Sequence, residues 1–280
     1  FPSIGSGSYG GGEIVFQVGS DLVLYNLASN QTQVVNVVIP TDRPTLRAKM
    51  VDFSEYISDG EISPTGKQAV VEARGDIWTI PAESDKGITR NLTRTSGVAE
   101  RDPLWSPDGR WIAYLSDESG EYEIYLMQSD GKGETRKLTS DNDGWRYMRT
   151  LTPDSKHIVY SDKAGNVFLL EIESGETKKM FTDVWAQTPS ISISGDSAWI
   201  ATSLMLETGT SAIYLYNIEE DALHQVTEGF FNAKSPVFDR NGKFLYYVAS
   251  MNFTPEYSAI DSTFIYSDSD SILAVPLNAE

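Results

Sequence analysis

One short pattern returns along this chain, and it constrains the fold more than any other feature. Its clearest copy runs Ser106-Pro107-Asp108-Gly109, then Trp111-Ile112-Ala113-Tyr114, Glu123-Ile124-Tyr125-Leu126 and Thr135-Arg136-Lys137-Leu138-Thr139. The opening turn recurs as Ser63-Pro64-Thr65-Gly66, Thr152-Pro153-Asp154-Ser155, Ser194-Gly195-Asp196-Ser197 and Asp239-Arg240-Asn241-Gly242, at spacings of 43, 46, 42 and 45 residues. A unit of that length, made of a tight turn and short apolar strands, has the dimensions of a four-stranded propeller blade. Such a blade buries its apolar faces only by stacking on its neighbours. A sixth copy opens the chain with a degraded turn at Ser8-Tyr9-Gly10-Gly11, followed by Glu13-Ile14-Val15-Phe16 and Leu22-Val23-Leu24-Tyr25.

The second-strand tetrapeptides are short, continuous and rich in β-branched and aromatic residues, which is the signature of strands buried on both faces. No stretch shows a helical period. The chain therefore reads as all-β, a β-propeller of four-stranded antiparallel blades within one domain over 1–280, with blades near 1–38, 57–93, 101–139, 147–182, 188–227 and 234–280. The last copy reaches Ile272-Leu273-Ala274-Val275-Pro276-Leu277 and ends at Glu280, so it lacks a fourth strand. An unpaired outer edge invites aggregation, so either the Phe1 to Ser6 segment closes the ring or the natural polypeptide continues, and continuation is the expectation. The alternative architecture is part of a seven-bladed ring.

Composition narrows the partners. Forty acidic against 22 basic residues give a net charge of −18, which repels phosphate backbones and anionic membrane surfaces, so no nucleic acid or membrane partner is expected. No apolar run approaches the ~20 residues that span a bilayer, and no charged-then-apolar leader begins the chain. The first residue, Phe1, is consistent with an upstream segment having been removed. Absence of cysteine removes disulfides and thiolate metal sites without identifying a compartment, and both cytoplasm and periplasm stay open.

The residues offer little for catalysis within the chain. A nucleophile needs a neighbouring base, usually histidine, and there are two histidines. His157 occupies the repeat position of Trp111, Trp199 and Phe244, and His224 begins a fourth, outermost strand, so both read as packing or surface residues. The turn aspartates Asp108, Asp154 and Asp196 read as structural, because Pro and Gly around them set the turn. Asp141-Asn142-Asp143-Gly144 opens like a calcium loop but lacks the ligand spacing and distant glutamate, and Asp268 and Asp270 alternate with serines as in a loop. No catalytic residue, metal site or cofactor is expected.

Binding is the remaining chemistry. In a propeller the second-to-third-strand loops and the blade-to-blade connections share the face where ligands meet the channel mouth. The connections place Arg101, Trp145, Arg146, Tyr147, Trp185, Phe230 and Phe231 on or near that face. Aromatic rings there contact peptide side chains, and arginines pair with carboxylates by bidentate hydrogen bonds. The competing reading fills the wedges between blades with these rings and pairs the arginines with the chain's own acids.

The segments Gly97-Val98-Ala99-Glu100-Arg101-Asp102-Pro103-Leu104-Trp105-Ser106-Pro107-Asp108-Gly109 and Ile112-Ala113-Tyr114-Leu115-Ser116-Asp117-Glu118-Ser119-Gly120-Glu121-Tyr122-Glu123 resemble the propeller region of tricorn-like serine proteases. So does Phe238-Asp239-Arg240-Asn241-Gly242-Lys243-Phe244-Leu245-Tyr246-Tyr247, followed by a long insertion before Ile272. The turn motif is shared with the Tol-system propeller and prolyl oligopeptidase relatives. The order of short and long connections is what resembles the second, seven-bladed propeller of the tricorn-like family. The resemblance implies a non-catalytic domain that guides or filters peptides toward a catalytic core elsewhere in a larger chain, with possible homo-oligomerisation through that parent. Two other classes stay open: a free-standing scaffold for a protein partner, and a propeller hydrolase with a carboxylate pair.

Overall fold

The computed structural model describes residues 4–38, 40, 50–140, 144–185, 190–252, 255–257, 264–266 and 269–277. The repeat groups residues 1–280 in one domain, whereas the contacts divide the chain into two compact units, Phe1–Val51 and Asp52–Glu280. Within the first unit, Ile4–Gly10, Glu13–Val18, Asp21–Asn26 and Gln31–Val35 form a four-stranded antiparallel meander.

The second unit carries five further sheets, each an antiparallel meander in chain order. The second sheet is Ile57–Ile62, Gln68–Ala73, Asp76–Pro81 and Arg90–Asn91. The third is Glu100–Trp105, Trp111–Ser116, Glu123–Gln128 and Arg136–Lys137. The fourth is Arg146–Leu151, His157–Asp162, Asn166–Glu171 and Thr177–Thr182. The fifth is Ile191–Ile193, Trp199–Met205, Ser211–Asn217 and Ala222–Gln225, so the strand carrying His224 begins two residues before it. The sixth holds three strands among the described residues, Ala233–Phe238, Phe244–Ser250 and Asp270–Pro276. The long insertion in it contains a separate hairpin of Pro255–Tyr257 with Phe264–Tyr266. No α-helix occurs among the described residues. The fold is a β-propeller.

Successive residues of a strand face opposite sides of the sheet, and in the second strands both sides are covered. Ile112 and Tyr114 pack with Val70, Ile77 and Trp105, toward the second sheet. Ala113 and Leu115 pack with Met148, Leu151 and Ile158, toward the fourth. The same division recurs where Val159 and Leu169 meet Ile200, Leu204 and Tyr216, and where Ala201 and Ile213 meet Ala233 and Leu245. Unbroken apolar tetrapeptides are therefore required by blade stacking.

The turn motif works through its side chains. Ser106 Oγ donates to Asp108 Oδ1 at 2.6 Å and accepts the Trp111 N–H at 2.9 Å, while Asp108 Oδ1 also accepts the Arg110 N–H at 2.9 Å. Thr152 with Asp154, and Ser194 with Asp196, repeat the arrangement. Partial burial opposes ionisation of Asp108 and Asp154, but these donors prevail and hold both carboxyls below their usual range; at Asp196 the Ser194 hydroxyl is the main cause. The closing Leu-Thr is explained as well: the hydroxyls of Thr93, Thr139 and Thr227 accept the N–H of Ile77, Ile124 and Ile213 at 3.1, 3.0 and 2.9 Å.

Two serines lock neighbouring turns together. Ser155 and Ser197 sit in the left-handed region at φ 60° and 62°, and their hydroxyls accept the N–H of Asp108 and Asp154, each at 3.0 Å. Ser155→Ala removes one such latch without changing the backbone demand, so it lowers stability by about 0.5–1.5 kcal/mol in urea titration. An unchanged midpoint would mean that the hydroxyl contributes nothing to sheet docking.

Candidate functional site: an aromatic and guanidinium cluster at the loop end

Tyr122 lies in the loop before Glu123–Gln128, Arg101 is the second residue of Glu100–Trp105, and Trp145 directly precedes Arg146–Leu151. These segments meet at one end of the third and fourth sheets, opposite the turns. Tyr122 and Trp145 stand edge to face at 5.0 Å, and the Trp145 and Tyr147 rings are 6.4 Å apart. The Arg101 guanidinium lies over both Tyr122 and Trp145, at 5.7 and 5.2 Å from their centroids, and Arg149 lies 5.4 Å from Tyr147.

Strand alternation decides which residues of Arg146–Leu151 share the cluster. Tyr147 and Arg149 project to it, with Trp145 and Tyr147 37% and 39% exposed. Arg146 points the other way. It is buried, and its Nη1 lies 2.8 Å from Glu123 Oε2, with a further hydrogen bond to the Thr139 hydroxyl and the Tyr160 ring 5.3 Å away. The sequence reading put Arg101, Arg146 and Tyr147 in blade-to-blade connections. All three lie in first strands, and the same period of two that exposes Tyr147 carries Arg146 inward.

Arg101 makes no hydrogen bond or ion pair with the described residues. Its guanidinium is held by two rings, which fixes its position and leaves its N–H donors unspent. Carboxylates surround the cluster. Burial, reinforced by Asp59 and Glu72, raises the Asp102 pKa against the opposing effects of Arg101 and the Met148 N–H. Burial likewise raises the Tyr122 phenol, with Arg101 pulling the other way. Burial lowers the Arg149 pKa against the effects of Tyr147 and Asp102, and its Nε and Nη2 donate to Ser161 Oγ at 3.1 and 2.8 Å. The result is a ring-lined surface on which Arg101 is oriented and, among the described residues, unspent.

The remaining candidates lie apart from this cluster. Trp185 is 53% exposed and its backbone N–H donates to Asp183 Oδ1. Phe230 and Phe231 stand edge to face at 5.0 Å and line a cavity of about 400 Å³ with Tyr247, Met251 and Leu273. Sequence reasoning missed Tyr122 and Arg149; Arg149, two residues beyond Tyr147 in an alternating strand, was findable. Of the acidic runs, Asp141 to Asp143 and Asp268 lie outside the described residues, while Asp270 accepts from Ser250 Oγ and pairs with Lys234 at 2.9 Å. Among the described residues no group of three His, Asp or Glu side chains is arranged to hold a metal.

The family model described as the tricorn protease second beta propeller domain matches residues 57–280. The chain belongs to the tricorn second β-propeller family. Tricorn protease homolog 1 of Streptomyces coelicolor is 24% identical over 253 residues, covering 88% of this chain and 24% of that protein. A tricorn protease homolog of Saccharolobus solfataricus is 22% identical over 246 residues, covering 88% and 22%. The crystal structure of the tricorn protease superposes with a TM-score of 0.73 at 17% identity, over 95% of this chain and 26% of that one, a likeness that establishes the fold. The chain thus spans about a quarter of the length of these relatives. The tricorn propeller match begins at Ile57, the first residue of the second sheet.

Proposed function

We propose that this chain is a non-catalytic propeller domain of a tricorn-like serine protease, guiding or filtering peptides toward a catalytic core outside it. The observation that carries this reading is the loop-end cluster, where Arg101 stands ready between Tyr122 and Trp145. Exposed rings take up apolar peptide side chains at low entropic cost, and an unspent guanidinium donates hydrogen bonds to a carboxylate or a carbonyl oxygen. Because the contacts are few and partly exposed, passing peptides bind weakly and leave, as a guide requires. Trp185, Phe230 and Phe231 supply further rings along the same end of the sheets.

Trp145→Ala with Tyr147→Ala lowers affinity for a labelled mixed-sequence peptide about tenfold in this reading, a change matching about 1.4 kcal/mol of lost ring contact. Circular dichroism confirms that the sheets remain. Peptide affinity that ignores both substitutions removes the cluster from the peptide path. Peptide turnover by the purified chain, abolished by one substitution within it, would replace the guiding role with a hydrolytic one.

A further inference from the structure

At the turn end, a wedge that is filled between the third and fourth sheets stands open between the fifth and sixth. Trp111 packs against a cluster containing Leu126, Leu151 and Ile172. The corresponding positions one junction pair later are Trp199, Leu215, Phe238 and Leu277. Trp199 opens its second strand as Trp111 does, and Leu215 pairs with Ala201 as Leu126 pairs with Ala113. Leu277 donates its N–H to Lys243 as Ile172 does to Lys156. All four are part-exposed and line a cavity of about 710 Å³ together with Asp196, Arg240, Asn241 and Gly242.

The hydroxyl latch is also missing there. Gly242, at φ 67°, stands where Ser155 and Ser197 stand at the two preceding junctions, so the Asp196 N–H meets no hydroxyl from the next turn. Gly109 leaves the same gap toward the second sheet, but there the positions of Trp199, Leu215 and Leu277 are held by Gln68, Thr79 and Ser129, which line a smaller, polar cavity of about 300 Å³. Of these two open junctions, that of the fifth and sixth sheets is the one with apolar walls; deeper in it, Ser192 Oγ accepts the Phe238 N–H at 3.1 Å. On its rim the Arg240 guanidinium makes no hydrogen bond or ion pair with the described residues. The Asp196 carboxylate is occupied by the Ser194 hydroxyl and the Ala198 N–H.

The geometry points to a binding site for a small monocarboxylate with an apolar body. The body lies against Trp199, Leu215, Phe238 and Leu277, and the carboxylate meets Arg240 and takes the acceptor role that serine holds at the Asp108 and Asp154 amides. The volume is that of small-ligand pockets, which combine apolar walls with a few placed polar groups. Asp196 and Asp239 on the turns oppose a second negative charge, which excludes polyanions. A free acid and the apolar C-terminal residue of a peptide share this chemistry.

Calorimetric titration of the chain with 4-phenylbutyrate and with 4-phenylbutyramide tests the site. The acid binds saturably, one per chain, and at least fivefold more tightly than the amide; Arg240→Gln erases that preference. Gly242→Ser weakens the acid at least tenfold. Serine already occupies this backbone conformation at φ 60° and 62°, and an added Cβ at Gly242 meets nothing within 4 Å, so the variant folds. Urea titration verifies this. A peptide ending in a free leucine carboxylate is the second arm: binding that Gly242→Ser abolishes assigns the site to peptide ends, and no binding assigns it to free acids. Failure of the acid to bind at millimolar concentration, or binding untouched by both variants, overturns the proposal. Trp145→Ala, at the opposite end of the sheets, leaves this titration unchanged whether or not the loop-end cluster binds peptide.

Discussion

Arg146→Ala lowers the stability of the chain by about 3–5 kcal/mol, the cost of stranding a charge whose partner has been removed from a dry interior. Glu123 is 3% exposed and Arg146 5%, and the pair bridges the third and fourth sheets with Thr139 hydrogen-bonded to both. Removing the guanidinium takes away the cation that Glu123 Oε2 meets at 2.8 Å inside the interface of the two sheets, while the Thr139 hydroxyl stays on that oxygen. Arg146→Met combined with Glu123→Met recovers most of the loss, because two apolar side chains of similar length need no desolvation of charge. Arg101→Ala changes stability by less than about 1 kcal/mol, since that guanidinium has no ion pair to lose. Urea unfolding of the four proteins checks the set. A double variant no more stable than Arg146→Ala would mean that packing, and not the stranded carboxylate, sets the cost.

Glu100→Gln raises stability at neutral pH by about 1–3 kcal/mol, because it removes the negative charge from a buried site while keeping the side chain's shape. Glu100 opens the first strand of the third sheet, as Arg146 opens that of the fourth, so an acid stands where the next repeat has a base. It is 1% exposed; the Thr95 hydroxyl donates to Oε1, and Oε2 has no partner. Burial raises its pKa above the usual 4.5, with Asp76 and Asp117 adding to the shift and the Thr95 and Thr93 hydroxyls opposing it. A carboxyl whose folded pKa is raised stabilises fully below its unfolded pKa and loses that contribution as pH rises through the folded value. The native chain therefore loses stability relative to Glu100→Gln from about pH 4.5 upward, and the two converge in acid. Parallel pH profiles would show that Glu100 stays equally protonated in folded and unfolded chains.

The fold was legible because its strongest signal is a repeat, and a repeat carries register with it. Aligning Ser106-Pro107-Asp108-Gly109 with its copies puts Trp111, His157, Trp199 and Phe244 at one position, and all four open second strands. The site was legible only in part, for a reason of one residue. Reading the segment from Trp145 to Tyr147 as a connection gives its side chains no direction. Reading it as a strand gives them a period of two, which separates Arg146 from both neighbours. Tyr122 carried no local signal, because its place beside Trp145 depends on how two sheets stack. The open wedge at Gly242 was equally out of reach: glycine suits that turn as well as serine does, and what it lacks is a hydroxyl for a neighbour 46 residues earlier, at Asp196.

The serine latches all run the same way, from the amide of one turn to the hydroxyl of the next. Each joins sheets adjacent in the chain, as do the apolar clusters, so cohesion in the second unit passes from neighbour to neighbour. In such an assembly unfolding need not be simultaneous. The third and fourth sheets share the largest cluster, the ion pair and a latch, and they form the slowest-exchanging block of amides. The sixth sheet is joined to the fifth by a small cluster and by the Phe238 N–H on the Ser192 hydroxyl, with no turn-to-turn latch, so its amides exchange ahead of those of the third and fourth sheets.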